Sequence, residues 1–188
     1  MPVSKLTTSL SYARVKQELL SSSTQGPRDD NLSNTLYLRA CIRETLRLSM
    51  ANPTRLPRVV PAGGWTFHSS VNDQTYHFPA GTIVSCQLHT LHHNPFVYED
   101  PYKFAPERWL ETETYRPSEA MNRDTIPFSL GARQCIARNL AMTELNMACA
   151  AIVESGVLDG AKAVGDKIEI LEWFNGKVPG GRIDIRWD

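Results

Sequence analysis

The sequence predicts a mainly α-helical chain with small antiparallel β-sheets, an α+β fold. Three observations predict it. Three segments, at 9–20, 33–50 and from Cys135 to Glu154, carry apolar residues in helix-forming contexts. Between residues 65 and 87 the period switches to two, in short runs separated by turn residues. Near the C-terminus an Asn175-Gly176 pair separates two further strand-like runs, the pattern of a tight hairpin.

The elements follow in order. SLSYARVKQELL, residues 9–20, reads as a helix with a ragged apolar stripe of Leu10, Ala13, Val15, Leu19 and Leu20. SSSTQGPRDDN breaks it with Ser, Gly, Pro and Asp. A second helix follows over 33–50, SNTLYLRACIRETLRLSM, with Ser33 as N-cap and Leu36, Ala40, Cys41, Leu46 and Leu48 feeding an apolar face. ANPTRLPRVVP, residues 51–61, holds three prolines and cannot continue that helix. WTFH, TYHF and TIVSCQ read as strands of a small antiparallel sheet, divided by VND and PAG turns. From 94 to 128, Pro95, Pro101, Pro106, Pro117 and Pro127 punctuate a stretch of little periodicity. A loop of that length in a compact domain is usually functional or wrapped around something. The helix that begins at Cys135 then runs to about Glu154, and KIEILEWF and KVPGGRIDIRW form the terminal hairpin.

Composition narrows the function classes. The 188 residues suffice for one domain with a sizeable core. Twenty basic residues balance 20 acidic ones, which favours neither nucleic acid nor an anionic membrane as partner. None of Cys41, Cys86, Cys135 and Cys149 lies in a C-x-x-C pair, which argues against a zinc knuckle and for reduced, intracellular thiols. No apolar run reaches the roughly 18 residues of a membrane span, and the N-terminal segment reads as neither signal nor anchor.

Cys135 is the residue with most to explain. It stands at the mouth of a helix, after Gly131 and Arg133, in FSLGARQCIARNLAMTEL. A thiolate there faces free backbone N–H groups and the positive end of the helix dipole, and thiolate is the form that binds metals. Gly131 permits a tight turn, and Arg133 adds a cation that pairs with carboxylates. Three chemistries use such a thiol. A nucleophile needs a nearby base, and His92 and His93 lie in another segment. A zinc ligand lacks partners at the right spacing. An axial thiolate to haem iron needs one protein sulfur only, because the macrocycle supplies four nitrogens; a lone cysteine fits this best. A helix-start cysteine acting as a small hydrophobe is the alternative without chemistry.

Phe128, Gly131, Arg133 and Cys135 match four of the five fixed positions of Phe-x-x-Gly-x-Arg-x-Cys-x-Gly. That pattern is the haem-binding loop of the cytochrome P-450 family, which this chain resembles. Ala137 stands at the fifth position, where glycine is usual. Two further motifs appear in family order. Glu44 and Arg47 match the E-x-x-R helix motif, and Pro106-Glu107-Arg108-Trp109 matches the downstream motif whose arginine completes a structural triad. The wording of YLRACIRETLRLS and LPRVVPAGG is most similar to fungal members.

The resemblance implies the C-terminal, proximal-side portion of the cytochrome P-450 fold, as a single partial domain over 1–188 with the N-terminal half of the fold absent. It implies haem b bound through Cys135, with Phe128, Gly131 and Ala137 in the loop and Arg133 and Arg58 on the propionates. Glu44, Arg47 and Arg108 lock the meander that presents the loop, and His92 is expected to hydrogen-bond that meander, with reaching a propionate as the alternative. The implied activity is monooxygenation of a small organic substrate with O2 and electrons from an NADPH-cytochrome reductase. Full-length relatives sit at the endoplasmic reticulum membrane. Asp124-Thr125 lies in a non-helical context and is not the family's oxygen-handling acid–alcohol pair. A non-catalytic haem-binding or interaction fragment is the second reading, and a merely structural Cys135 the third.

Overall fold

A computed structural model describes residues 5–22, 35–49, 51–113, 116–165, 168–171 and 175–187. Helix α1 spans Lys5–Ser22 and α2 spans Leu36–Ser49. Strands β1 (Arg58–Val59), β2 (Trp65–Ser69), β3 (Gln74–Phe78) and β4 (Ile83–Val84) follow. Two short helices come next, α3 (Leu88–His92) and α4 (Glu119–Asp124), with a 3-10 turn at Pro106–Trp109 between them. A second 3-10 turn at Gly131–Arg133 leads to α5, Arg138–Glu154, and β5 (Ala161–Ala163) and β6 (Ile185–Trp187) complete the described elements. Mixed helix and small antiparallel pairs is therefore the observed class.

The three long helices meet in one apolar cluster. Val15 and Leu19 of α1 pack with Tyr37, Leu38 and Ile42 of α2 and with Ala150 and Val153 of α5. These are the apolar positions of helical stripes, and burying them drives the assembly. The Ser33 cap lies outside the described residues. The α2 N-terminus is instead capped across the helix pair: the Glu18 carboxylate of α1 accepts from Tyr37 N–H (2.9 Å) and Leu38 N–H (3.0 Å). An anion at that end also meets the positive pole of the helix. Lys16 and Tyr12 of α1 both reach Asp159, beyond the end of α5.

The sheet region differs in detail from the expected single sheet. It forms separate antiparallel pairs. β2 and β3 make a hairpin with Trp65 opposite Phe78, whose rings stack at 5.3 Å. β1 pairs with β4, Arg58 opposite Val84. Only Ile83–Val84 of TIVSCQ is strand, because its partner β1 is two residues long, hemmed by Pro57 and Pro61. At the C-terminus, Leu171 and Lys177 exchange both backbone hydrogen bonds, 2.8 and 3.0 Å, around the Asn175-Gly176 segment. The hairpin does not extend to the chain end, however. β6 pairs with β5, Ala161 opposite Trp187; the described part of the KIEILEWF run, 168–171, bridges Lys177 instead through Leu171.

The proline-rich stretch is more structured than its sequence suggests. Met121 of α4, Tyr98, Trp109 and Ala40 of α2 form a second buried cluster. Asp124 is the last residue of α4, not part of a loop; Ser118 caps that helix by accepting from Met121 N–H.

Candidate functional site

The site has a buried frame and an exposed loop. The frame is built on α2. Residues three apart share a helix face, so Glu44 and Arg47 point together, and both are 0% exposed. Arg47 Nε and Nη2 donate to Glu44 Oε2 (2.9 Å) and Oε1 (2.8 Å) in a bidentate fork. Arg108 Nε, from the 3-10 turn, donates to the same Oε1 at 3.0 Å. Ala105 N–H adds a bond to Oε1 at 3.1 Å, and the Trp109 indole adds one to Oε2 at 2.9 Å. A buried ion pair survives only when its remaining polar atoms are satisfied, and here they are.

Arg47 uses its other guanidinium hydrogens to hold the backbone of the proline-rich stretch. Nη1 donates to His92 O (2.7 Å) and Pro101 O (2.6 Å), and Nη2 donates to Lys103 O (3.3 Å). Its guanidinium also lies over the Tyr98 ring at 4.9 Å. Burial alone would push the Glu44 carboxyl up. The Arg47 hydrogen bond, the two arginine charges and Ala105 N–H outweigh it and hold the group below its usual range.

The loop follows α4. Tyr98 Oη and Thr125 Oγ1 share a hydrogen bond of 2.8 Å, and Ile126 N–H donates to His92 Nε2 at 2.9 Å. Ser129 N–H bonds Ile126 O, Gln134 N–H bonds Gly131 O, and Cys135 N–H closes the loop on Phe128 O at 2.9 Å. Gly131 sits at φ +73°, a left-handed position where glycine has no steric penalty. Cys135 lies just before α5 and is not its cap; Ala137 is, with φ −88°, an angle open to any residue. Alanine is therefore accommodated there without backbone strain.

Residues 130–140 are all exposed. Ile136 is 102% exposed, beside the exposed Leu130 and Leu140, so Cys135 emerges on an open apolar surface. Cys86 is exposed as well, on a different segment, and the other two cysteines differ. Cys41 and Cys149 pack against the three-helix core, and burial pushes the Cys41 thiol up to about 12. Arg133 is exposed in the loop. Arg58 is exposed on β1, where it donates to Pro57 O, on a segment separate from the loop. The structure thus brings Glu44, Arg47 and Arg108 together, sets Phe128, Gly131, Arg133, Cys135 and Ala137 on one loop, and leaves Arg58 apart.

Two contacts had no spacing signal in the sequence: the Trp109 indole on Glu44 and, although His92 was expected to hydrogen-bond nearby backbone, the seat of its ring between Arg47 O and Ile126 N–H. The PERW motif held the only hint of the first, since Trp109 adjoins Arg108.

This combination, a buried carboxylate–arginine frame and a cysteine loop before a helix, matches a known family. The cytochrome P-450 family model matches residues 11–156, and the chain belongs to that family. Among curated relatives, cytochrome P-450 monooxygenase mfmF of Annulohypoxylon moriforme is 44% identical over 162 residues, 85% of this chain and 32% of the relative. Cytochrome P-450 monooxygenase apf7 of Gibberella fujikuroi is 39% identical over 149 residues, 76% of this chain and 27% of the relative. Fusicoccadiene C-8 hydroxylase of Alternaria brassicicola is 39% identical over 126 residues, 67% of this chain and 22% of the relative. The chain thus spans about a third or less of the length of these relatives.

Proposed function

We propose that this chain is the C-terminal, proximal-side portion of a haem-thiolate monooxygenase, one partial domain over residues 1–188, with Cys135 as axial ligand to the iron of haem b. The observation that carries the reading is the Cys135 loop: a closed turn that presents an exposed thiol on an open apolar surface. The residues present suit the group. A flat, largely apolar macrocycle needs an uncluttered apolar platform around a soft anionic ligand. Leu130, Ile136 and Leu140 supply apolar surface, and a Cβ built at Gly131 meets nothing within 4 Å. Arg133 and Arg58 are exposed cations suited to the two propionates. No protein-only metal cluster of three or more His, Cys, Asp or Glu side chains occurs among the described residues.

When bound, haem supplies the O2 chemistry that inserts one oxygen atom into an organic substrate. The chain's own residues do the rest of the proximal work. Cys135 would hold the iron as a thiolate, whose electron density tunes it. Phe128 O holds the Cys135 N–H, which fixes the loop. Glu44, Arg47 and Arg108 pin the segment that runs beside it. Electrons come from an NADPH-cytochrome reductase, the substrate is a small organic molecule, and the working site is the endoplasmic reticulum membrane. Among the described residues no helix is long and apolar enough to cross a membrane.

The test is the reduced, CO-bound absorption spectrum after expression with added haemin. The expected result is a red-shifted, thiolate-type Soret band that Cys135→Ala abolishes. A band that survives in Cys135→Ala rejects Cys135 as the ligand, and no haem uptake rejects the reading for this chain.

A further inference from the structure

We propose that His92 is the positioning residue of the Cys135 loop: a neutral, Nδ1-protonated imidazole that clamps the C-terminal turn of α2 to the segment leading into the loop. The inference deepens the reading of Cys135 as ligand and rests on it for its consequence, though not for its geometry.

The ring is 1% exposed and lies between two backbone groups, the Arg47 carbonyl and the Ile126 amide. α2 ends at Ser49, so the Arg47 carbonyl belongs to the last turn, where carbonyls have no donor from their own helix. His92 Nδ1 stands 3.1 Å from that oxygen. Ile126 N–H lies outside any helix or strand, and it points at His92 Nε2 from 2.9 Å. An amide can only donate and a carbonyl can only accept. The ring must therefore accept at Nε2 and donate at Nδ1, which fixes both tautomer and charge. Burial agrees, pushing the ring's pKa down to about 4. The tie is doubled by the reverse bond, Arg47 Nη1 to His92 O at 2.7 Å.

What the clamp holds follows from the next bonds along the chain. Ile126 O accepts from Ser129 N–H, and Phe128 O accepts from Cys135 N–H. Fixing Ile126 thus fixes the stretch on which the cysteine turn closes. The link runs from the Glu44–Arg47 frame through one imidazole to the loop. Tyr98, bonded to Thr125 Oγ1, is the neighbouring anchor and the natural rival.

Side-chain geometry separates the two halves of the clamp. The amide nitrogen of Asn can replace Nδ1 but leaves Ile126 N–H without an acceptor. The longer Gln places its amide oxygen where Nε2 stood. Amide hydrogen exchange of the haem-free chain is the haem-independent readout, with a thermal melt to verify folding and 15N NMR of the His92 ring to read the tautomer. We expect the Nδ1-protonated form in the wild type. In His92→Asn, exchange at Ile126, Ser129 and Cys135 should speed up at least tenfold, and His92→Gln should restore it to within about threefold of wild type. The haem-loaded chain should show less thiolate-type CO band in His92→Asn and recovery in His92→Gln. An Nε2-protonated ring overturns the proposal. So does unchanged loop exchange in a folded His92→Asn, above all if Tyr98→Phe exposes the same amides. If wild-type chain takes up no haem, the ligand reading fails while tautomer and exchange still decide the clamp.

Discussion

Glu44 accepts five hydrogen bonds, from Arg47 twice, Arg108, Ala105 and Trp109, and has no exposed surface. Glu44→Gln removes the charge that balances two arginines and turns one acceptor into a donor facing donors. Breaking a buried pair from one side costs about 3–5 kcal/mol, so urea denaturation should show a loss of that size. The neighbouring imidazoles set an acid limit. Burial pushes both His92 and His93 from 6.5 to about 4, with Arg47 and His89 adding repulsion in each case. Between those values the unfolded chain binds more protons than the folded one. Stability should therefore be full above about pH 6.5 and fall as pH drops towards 4, by a few kcal/mol for each ring. Glu44, held below its ordinary 4.5, adds a loss at lower pH still. Thermal melts at pH 7, 5.5 and 4.5 check the order. At this scale the sequence revealed the frame only where a spacing encodes contact. Glu44 and Arg47 share a helix face, whereas Trp109 and Ile126 reach their partners across 65 and 34 residues, which no local pattern reports.

The loop before α5 turns on Gly131, at φ +73° with no atom within 4 Å of a Cβ built there. Space is free, so only backbone conformation resists substitution. Gly131→Ala should cost about 1–2 kcal/mol and Gly131→Asn less, because Asn visits left-handed geometry more readily. Melting temperatures of the two variants test this, and the reverse ranking would show that side-chain crowding governs instead. The long helices were legible because each carries an apolar face that tertiary packing uses. α4 was not: six residues are too few for a period, and its Ser118 cap resembles any loop serine. The terminal strands were half legible. Alternation marks a strand but does not name its partner, and β6 pairs with β5, a strand outside the expected terminal hairpin.

For the molecule as a whole, the surface beside Cys135 matters most. Ile136 is 102% exposed, with Leu130 and Leu140 more than half exposed. Isolated exposed apolar side chains are ordinary, but a run of them around Cys135 marks a surface meant to be covered. Ile136 buries nothing within the chain, so Ile136→Lys should leave the urea midpoint within about 0.5 kcal/mol of wild type. The same change should lower binding of an apolar dye and raise solubility. A marked loss of stability would mean that Ile136 packs against the chain after all. The family was legible in the sequence because its motifs are local. The substrate was not, because the chain covers only 22–32% of the relatives compared above.

The Glu44 frame also carries a timetable. Its carboxylate and Arg47 are made together, but Arg108 follows Glu44 by 64 residues and Trp109 by 65. At about 5–20 residues per second, the ribosome delivers them roughly 3–13 s after Glu44. During that interval α2 holds an acid whose second cation and indole do not yet exist. The buried centre is therefore completed late, after the whole stretch up to PERW has left the exit tunnel.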